Sequence, residues 1–232
     1  MKIHLSLHRF VLGAALLAAG AVFAVSTPKI NFLEVIPPPP ADDSPAGQAD
    51  LLTLRKVQEY RTPEQVAEAQ RVSKLEPCDF AQPVFGQWID KESCPKTHRN
   101  LREIERAAGK IMEDAKRHWK RQRPYQRDPE LRPVVGRPGD NSYPSGHSFA
   151  QTLWAVVYSE AFPEHAKEFD ALARRTQWGR VMGGVHYPTD TSAGYELAQV
   201  VAKEMLKDPE VRQLVKAIRE EIVAQQGRQE KE

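Results

Sequence analysis

Three short segments of this chain carry residue types suited to chemistry on an anion. The first, Asn141-Ser142-Tyr143-Pro144-Ser145-Gly146-His147-Ser148-Phe149, sets turn-forming and hydroxyl residues and a histidine directly before an apolar run. Phe149, Leu153, Val156 and Val157 recur at the spacing of an amphipathic helix, so Pro144-Ser145-Gly146 is its start signal and His147 falls in its first turn. A helix start offers free N–H groups and a partial positive charge, and a glycine there lets an anion approach the backbone. Phosphate is the ligand this chemistry suits. Alone, the segment is weak evidence, because a serine cap beside an exposed histidine is usually structural.

The second segment, Lys116 to Arg127, holds six Lys or Arg in twelve positions. Lys116 and Arg123 are two helical turns apart, so both heads share one face if the helix persists to Arg123. A solvated basic face is the plain alternative, and with Trp119 and Tyr125 interleaved a nucleic-acid patch is another. The third segment is Arg180-Val-Met-Gly-Gly-Val-His186-Tyr-Pro-Thr-Asp190. Pro188 fits the first turn of a new helix, which puts His186 at its N-terminus and Asp190 four residues on. A carboxylate there can accept a hydrogen bond from one imidazole nitrogen and leave the other unprotonated, which makes a nucleophile. Local stabilisation of a helix start would use the same residues.

The elements that must position these segments are helical. Leu101, Ile104, Ala108, Ile111, Ala115 and Trp119 mark one face of a long helix that must end by Arg123-Pro124. Further helices are expected over about 147–161, about 164–180, from Pro188 to Leu206, and from the Asp208-Pro209-Glu210 cap through Ile222, with a frayed charged tail at 227–232. Between Ala49 and Leu75 the text is polar and helical, interrupted at Thr62-Pro63. Residues 76–97 read as irregular and hold both cysteines. The stretch Pro37-Pro38-Pro39-Pro40 to Gly47 reads as a non-helical lead-in. Strand signals are nearly missing, so the expected fold is all-α: a single compact helical-bundle domain over 49–226, preceded by a lead-in over 25–48.

At 232 residues, 41% hydrophobic and 28% charged, the composition is that of an ordinary globular protein. The long apolar run Phe10–Val25 follows Lys2 and Arg9 and ends in Val22-Phe23-Ala24, so residues 1–24 read as a secretory signal peptide, with an uncleaved anchor as the alternative. Cleavage after Ala24 leaves 31 basic residues facing 31 acidic ones. A global electrostatic case for nucleic-acid or membrane binding therefore fails, and any anion preference must be local. Cys78 and Cys94 are the only cysteines. In an exported chain they read as one disulfide, worth about 3 kcal/mol by loop closure, against two free thiols.

Lys-x6-Arg-Pro, then Pro-Ser-Gly-His, then Arg-x5-His-x3-Asp, in this order, resembles the signature of the phosphatidic acid phosphatase type 2 superfamily. The chain is most similar to its class A bacterial non-specific acid phosphatases, sharing also Ile36-Pro-Pro-Pro-Pro, Ala115-Lys116-x-His118 leading to Arg-x-Arg-Pro, and Ser142-Tyr-Pro-Ser-Gly-His. The likeness spans roughly Ile36 to Ile222. It implies a helical fold shared with vanadium haloperoxidases, a small-molecule phosphomonoester substrate and a periplasmic or secreted location. It further implies His186 as nucleophile, Asp190 as its orienting partner and His147 as general acid and base. Lys116, Arg123, Ser145, Gly146 and Arg180 would hold phosphate oxygens. The family usually has serine before the third-segment arginine; here it is Gly179, so one hydroxyl near the phosphate is expected to be missing.

Of seven histidines, two lie in the signal and none pairs as His-x-His or His-Glu-x-x-His. No metal or other cofactor is therefore expected. Rival readings are a lipid phosphatase or a vanadate-dependent haloperoxidase on the same site, and a secreted nucleic-acid-binding protein without catalysis. A membrane role after signal cleavage is not expected, and a homo-oligomer is admitted.

Overall fold

Prolines mark where most of the helices begin. The computed structural model describes residues 25–229. Seven of the nine α-helices it describes start on a proline, whose missing N–H has no intrahelical partner at that position. They are α1 (Pro45–Tyr60), α2 (Pro63–Val72), α3 (Pro77–Phe85), α4 (Pro95–Trp119), α5 (Pro124–Arg127), α6 (Gly146–Ala161), α7 (Ala166–Met182), α8 (Pro188–Met205) and α9 (Pro209–Gln229). No strand occurs among the described residues, and the fold is all-α as expected. None of the described helices is long and apolar enough to cross a membrane. The expected signal peptide, 1–24, lies outside the described residues.

Helix α6 sits at the centre. Phe149, Leu153, Trp154, Val157 and Tyr158 are all buried, more than one stripe of its surface, because α4, α7, α8 and α9 pack around it. The long helix α4 buries the expected face, Leu101, Ile104, Ala108, Ile111 and Ala115; each of the Leu and Ile side chains contributes about 1.5–3 kcal/mol by leaving water. On α8, a Cβ at Gly194 would lie 2.5 Å from the Ser145 carbonyl oxygen and 3.2 Å from Ser148 Cβ. Glycine there lets the backbone of α8 approach the backbone at the start of α6. Two of the three chemistry-bearing segments are thereby brought together.

Several expectations change. Residues 76–97 are not irregular: α3 forms at Pro77–Phe85 and α4 already starts at Pro95. The breakers Pro77, Pro83 and Gly86 hide α3, which is held by tertiary packing: Phe80 stacks edge-on to Trp154 at 5.9 Å, and the Tyr158 hydroxyl donates to the Pro77 carbonyl at 3.0 Å. The expected Cys78–Cys94 disulfide is not formed. Both are free, buried thiols, with Cys78 Sγ turned to the Cys94 carbonyl at 3.7 Å. Burial pushes the Cys78 thiol up and the Cys94 thiol up to about 11, so both stay protonated.

The lead-in is neither a free linker nor wholly non-helical. Helix α1 starts at Pro45, capped by Ser44 Oγ accepting from Gly47 N at 3.1 Å. Upstream, Val25 and Ile36 are buried, Phe32 packs on His118 and Trp119 at 5.7 and 5.2 Å, and Tyr143 donates its hydroxyl to the Pro37 carbonyl. His118 is thus a packing residue. At the other end α9 runs past Gly227 to Gln229.

Candidate active site

Helix α4 stops earlier than expected. Lys120 takes the left-handed conformation (φ 50°) and turns the chain out at Trp119, so Arg123 does not continue the α4 face. It arrives instead as the residue capping α5, in extended backbone before Pro124. Its guanidinium still reaches the centre: Nη1 donates to the Val185 carbonyl at 2.9 Å and lies 2.7 Å from His186 Nε2. Lys116, in the last turn of α4, is buried, and Arg180 is buried in the last turn of α7. Arg180 Nε and Nη1 have no hydrogen-bond partner. Burial first and Arg123 second hold the Arg180 guanidinium down at about 10. A desolvated guanidinium with unused donors beside two other cations is a site built for an anion.

Ser145, fully buried, caps α6, its hydroxyl oxygen accepting from Ser148 N at 3.4 Å while its O–H stays available to a ligand. Gly146 opens α6 next to Lys116; a Cβ there would lie 3.9 Å from Lys116 Cε. His147 follows in the first turn, with Nε2 3.3 Å from the Ser73 carbonyl at the end of α2. Burial, then the charge of Arg180, lowers its pKa to about 4. A cleft of about 380 Å³ opens beside Gly146 and His147, walled by Leu75, Glu105, Met112 and Trp154 among others.

His186 is buried just before α8, with Nδ1 3.2 Å from Asp190 Oδ2. Because Arg123 can only donate, Nε2 is the acceptor and the proton resides on Nδ1, directed at Asp190. Burial, followed by Arg123, Lys116 and Arg180, holds the imidazole well below its ordinary pKa and so favours its neutral form. All eight predicted site residues therefore meet: Lys116, Arg123, Ser145, Gly146, His147, Arg180, His186 and Asp190.

Sequence reasoning missed what surrounds Asp190. Its carboxylate also accepts from Ser142 Oγ at 2.5 Å, Tyr187 N at 3.0 Å and Arg121 Nη1 at 2.6 Å. Arg121 in turn pairs with Asp50 of α1 at 2.8 Å and lies over the Tyr187 ring at 4.0 Å. The signal was present in Arg-x-Arg-Pro, whose first arginine had no assigned part; nothing local pointed to Asp50, which is 140 positions away from Asp190 in sequence. Also missed was Asp140, whose carboxylate bridges Lys116 Nζ at 2.9 Å and Arg123 Nη2 at 2.5 Å.

Gly179 is pressed against α2. A Cβ there would come 2.2 Å from Val72 Cγ2 and 3.8 Å from Ala69 Cα, so the position is a close contact of α7 with α2.

Residues 105–213, which contain all three segments, match the family model of the PAP2 superfamily. Over 206 residues the chain is 32% identical to a non-specific acid phosphatase of Salmonella typhimurium, covering 83% of this chain and 80% of that one. Among solved structures it is similar to a bacterial vanadium-dependent iodoperoxidase, with TM-score 0.57 and 20% identity over 73% of this chain and 51% of that one, about half its length. It is similar also to the transmembrane PAP2-type phosphatidylglycerolphosphate phosphatase of Bacillus subtilis, with TM-score 0.51 and 19% identity over 72% and 87%. At those identities the two structures speak for the fold alone. With three cationic side chains and two histidines assembled inside the matched region, and a relative aligned along most of both lengths, the chain belongs to the PAP2 superfamily and, within it, to the bacterial non-specific acid phosphatases.

Proposed function

We propose that this chain is a phosphoric monoester hydrolase, an acid phosphatase that works through a phosphohistidine without a metal. The observation that carries the reading is His186: neutral, with Nδ1–H directed at Asp190 and Nε2 turned toward a buried Lys116, Arg123 and Arg180. Nε2 attacks phosphorus in line, and the bond from phosphorus to the ester oxygen breaks. Asp190 stabilises the imidazolium that forms, with Ser142 and Arg121 keeping the carboxylate in place. His147 gives a proton to the departing alkoxide, then takes one from the water that attacks phosphorus and breaks the N–P bond. Lys116, Arg123 and Arg180, with the Ser145 hydroxyl and Gly146 N–H, hold the non-bridging oxygens, a charge-stabilising role that a divalent cation would otherwise fill.

An acidic optimum follows from His147. The free imidazole sits at about 4, so its acid form is scarce at neutral pH; a bound phosphate dianion opposes the three cations and raises it. The N-terminal run over residues 1–24 supports export to the periplasm or medium, with the substrate a small soluble phosphomonoester and breadth set by the open cleft.

Hydrolysis of a chromogenic phosphomonoester, with chelator and with vanadate, tests the activity; the expected result is turnover that survives chelation and is inhibited by vanadate. Acid-quench trapping with labelled substrate should find phosphate on His186 and none after His186→Ala. A divalent-ion requirement, or phosphate trapped on His147, would overturn the mechanism.

A further inference from the structure

The residue that most needs a role is Asp140. It lies between Pro138-Gly139 and Asn141, on the loop leading to α6, and its carboxylate takes two of the donors assigned above to phosphate oxygens: Lys116 Nζ at 2.9 Å and Arg123 Nη2 at 2.5 Å. A phosphoryl group and this carboxylate would claim the same two donors. The side chain is 54% exposed while those of Lys116 and Arg123 are 7% and 2% exposed, so it enters the cradle from the solvent side.

Its backbone is held independently. Arg123 Nε donates to the Asp140 carbonyl at 3.0 Å, Lys116 Nζ to the Asn141 carbonyl, Asn141 Nδ2 to the Lys116 carbonyl at 3.2 Å, and Ser142 N to the Arg121 carbonyl at 2.8 Å. The loop therefore stays docked when the carboxylate turns outward about its own side-chain torsions. It remains within a few ångströms of the cradle as a fixed negative charge.

Resting on the phosphomonoesterase reading, we propose that Asp140 is a specificity-determining residue: its carboxylate competes with the phosphoryl group for Lys116 and Arg123 and, as a fixed negative charge beside the cradle, limits how strongly doubly charged monoesters are preferred over singly charged diesters. Lys116, Arg123 and Arg180 carry three positive charges, and Asp140 reduces them to a net two, the charge of a phosphate monoester above its second pKa of about 6. Displacing the carboxylate costs the same for either ligand, but its remaining charge repels a dianion about twice as strongly as a singly charged diester. Neutralising Asp140 removes the competitor and leaves three uncompensated cations, which should bind every phosphate more tightly and strengthen the preference for a dianion, whose Coulomb gain is about twice that of a monoanion.

The experiment is a calorimetric titration of the full protein with inorganic phosphate at pH 7, for the parent, Asp140→Asn and Asp140→Ala. It is paired with kcat/KM for an aryl phosphate monoester and the matching diaryl diester. The phosphate Kd should fall about tenfold in both variants, the lower end of what a hydrogen bond to a charged group is worth. The diester-to-monoester ratio of kcat/KM should fall, because the dianion gains more from the lost negative charge. Phosphate affinity unchanged or weakened in Asp140→Asn would mean that the carboxylate only positions Lys116 and Arg123, and would overturn the inference while the parent still binds phosphate and hydrolyses monoester. A parent that does neither overturns the phosphomonoesterase reading as well.

Discussion

Gly179→Ser would restore the residue usual in the family, and the structure predicts that the protein pays for it in stability. The added Cβ would lie 2.2 Å from Val72 Cγ2, far inside contact distance, and Val72 and Ala69 are both buried, so α2 must shift or Val72 must leave its rotamer. Overpacking of this kind costs about 1–3 kcal/mol. For a chain of this size each kcal/mol lowers Tm by roughly 2–4 °C, so a fall of about 2–12 °C is expected. The displaced segment also holds the site: the Val72 carbonyl accepts from Gln151 Nε2 at 2.9 Å, and the Ser73 carbonyl faces His147 Nε2 at 3.3 Å. Turnover of alkyl phosphates, which need the His147 proton, should therefore fall more than turnover of activated aryl phosphates. Val72→Ala removes the obstructing methyls at a cost of about 1.6 kcal/mol in transfer free energy. Combined with Gly179→Ser it should be more stable than the two single effects predict, with a coupling of at least about 1 kcal/mol. Thermal and urea unfolding of the four proteins measures this. A Gly179→Ser Tm within about 1 °C of the parent, or strictly additive singles, would refute the packing argument.

His147→Asn should slow hydrolysis of an alkyl phosphate by about 10²–10⁴-fold, and with an activated aryl phosphate the phosphoenzyme should accumulate in rapid-quench experiments because water is no longer deprotonated. Arg121→Met leaves Asp50 and Asp190 buried without their cation and should cost about 3–5 kcal/mol, read by urea unfolding at pH 7. The pKa of His147 is depressed in the fold to about 4, so the unfolded chain, near 6.5, binds its proton first and stability falls as pH drops from about 6.5 toward 4, by up to about 3 kcal/mol from this group. His147→Asn should flatten that part of the acid limb in urea unfolding, and inorganic phosphate should restore Tm in the parent more than in the variant.

The helices and the eight site residues were legible in the sequence because their causes are local. Apolar spacing along Leu101–Ala115, the Thr62 cap with Pro63, the Ser145-Gly146 start and Pro188 behind His186 each act within a turn or two of chain, and residue type states the chemistry. Tertiary structure alone decided what depends on distant partners. It folded α3 despite three breakers, because Trp154 and Tyr158 of α6 offer it a surface. It docked the proline-rich lead-in on Trp119 and Tyr143. The same packing turned Gly179 toward α2, where residue type alone had suggested a missing ligand. It also brought Asp50 to Arg121 and Asp140 to Lys116 and Arg123, contacts between residues 71, 24 and 17 positions apart. Charge pairs are silent in sequence because any Asp can serve any Arg; only the packing of α1, α4 and α8 around one buried anion site selects which ones meet.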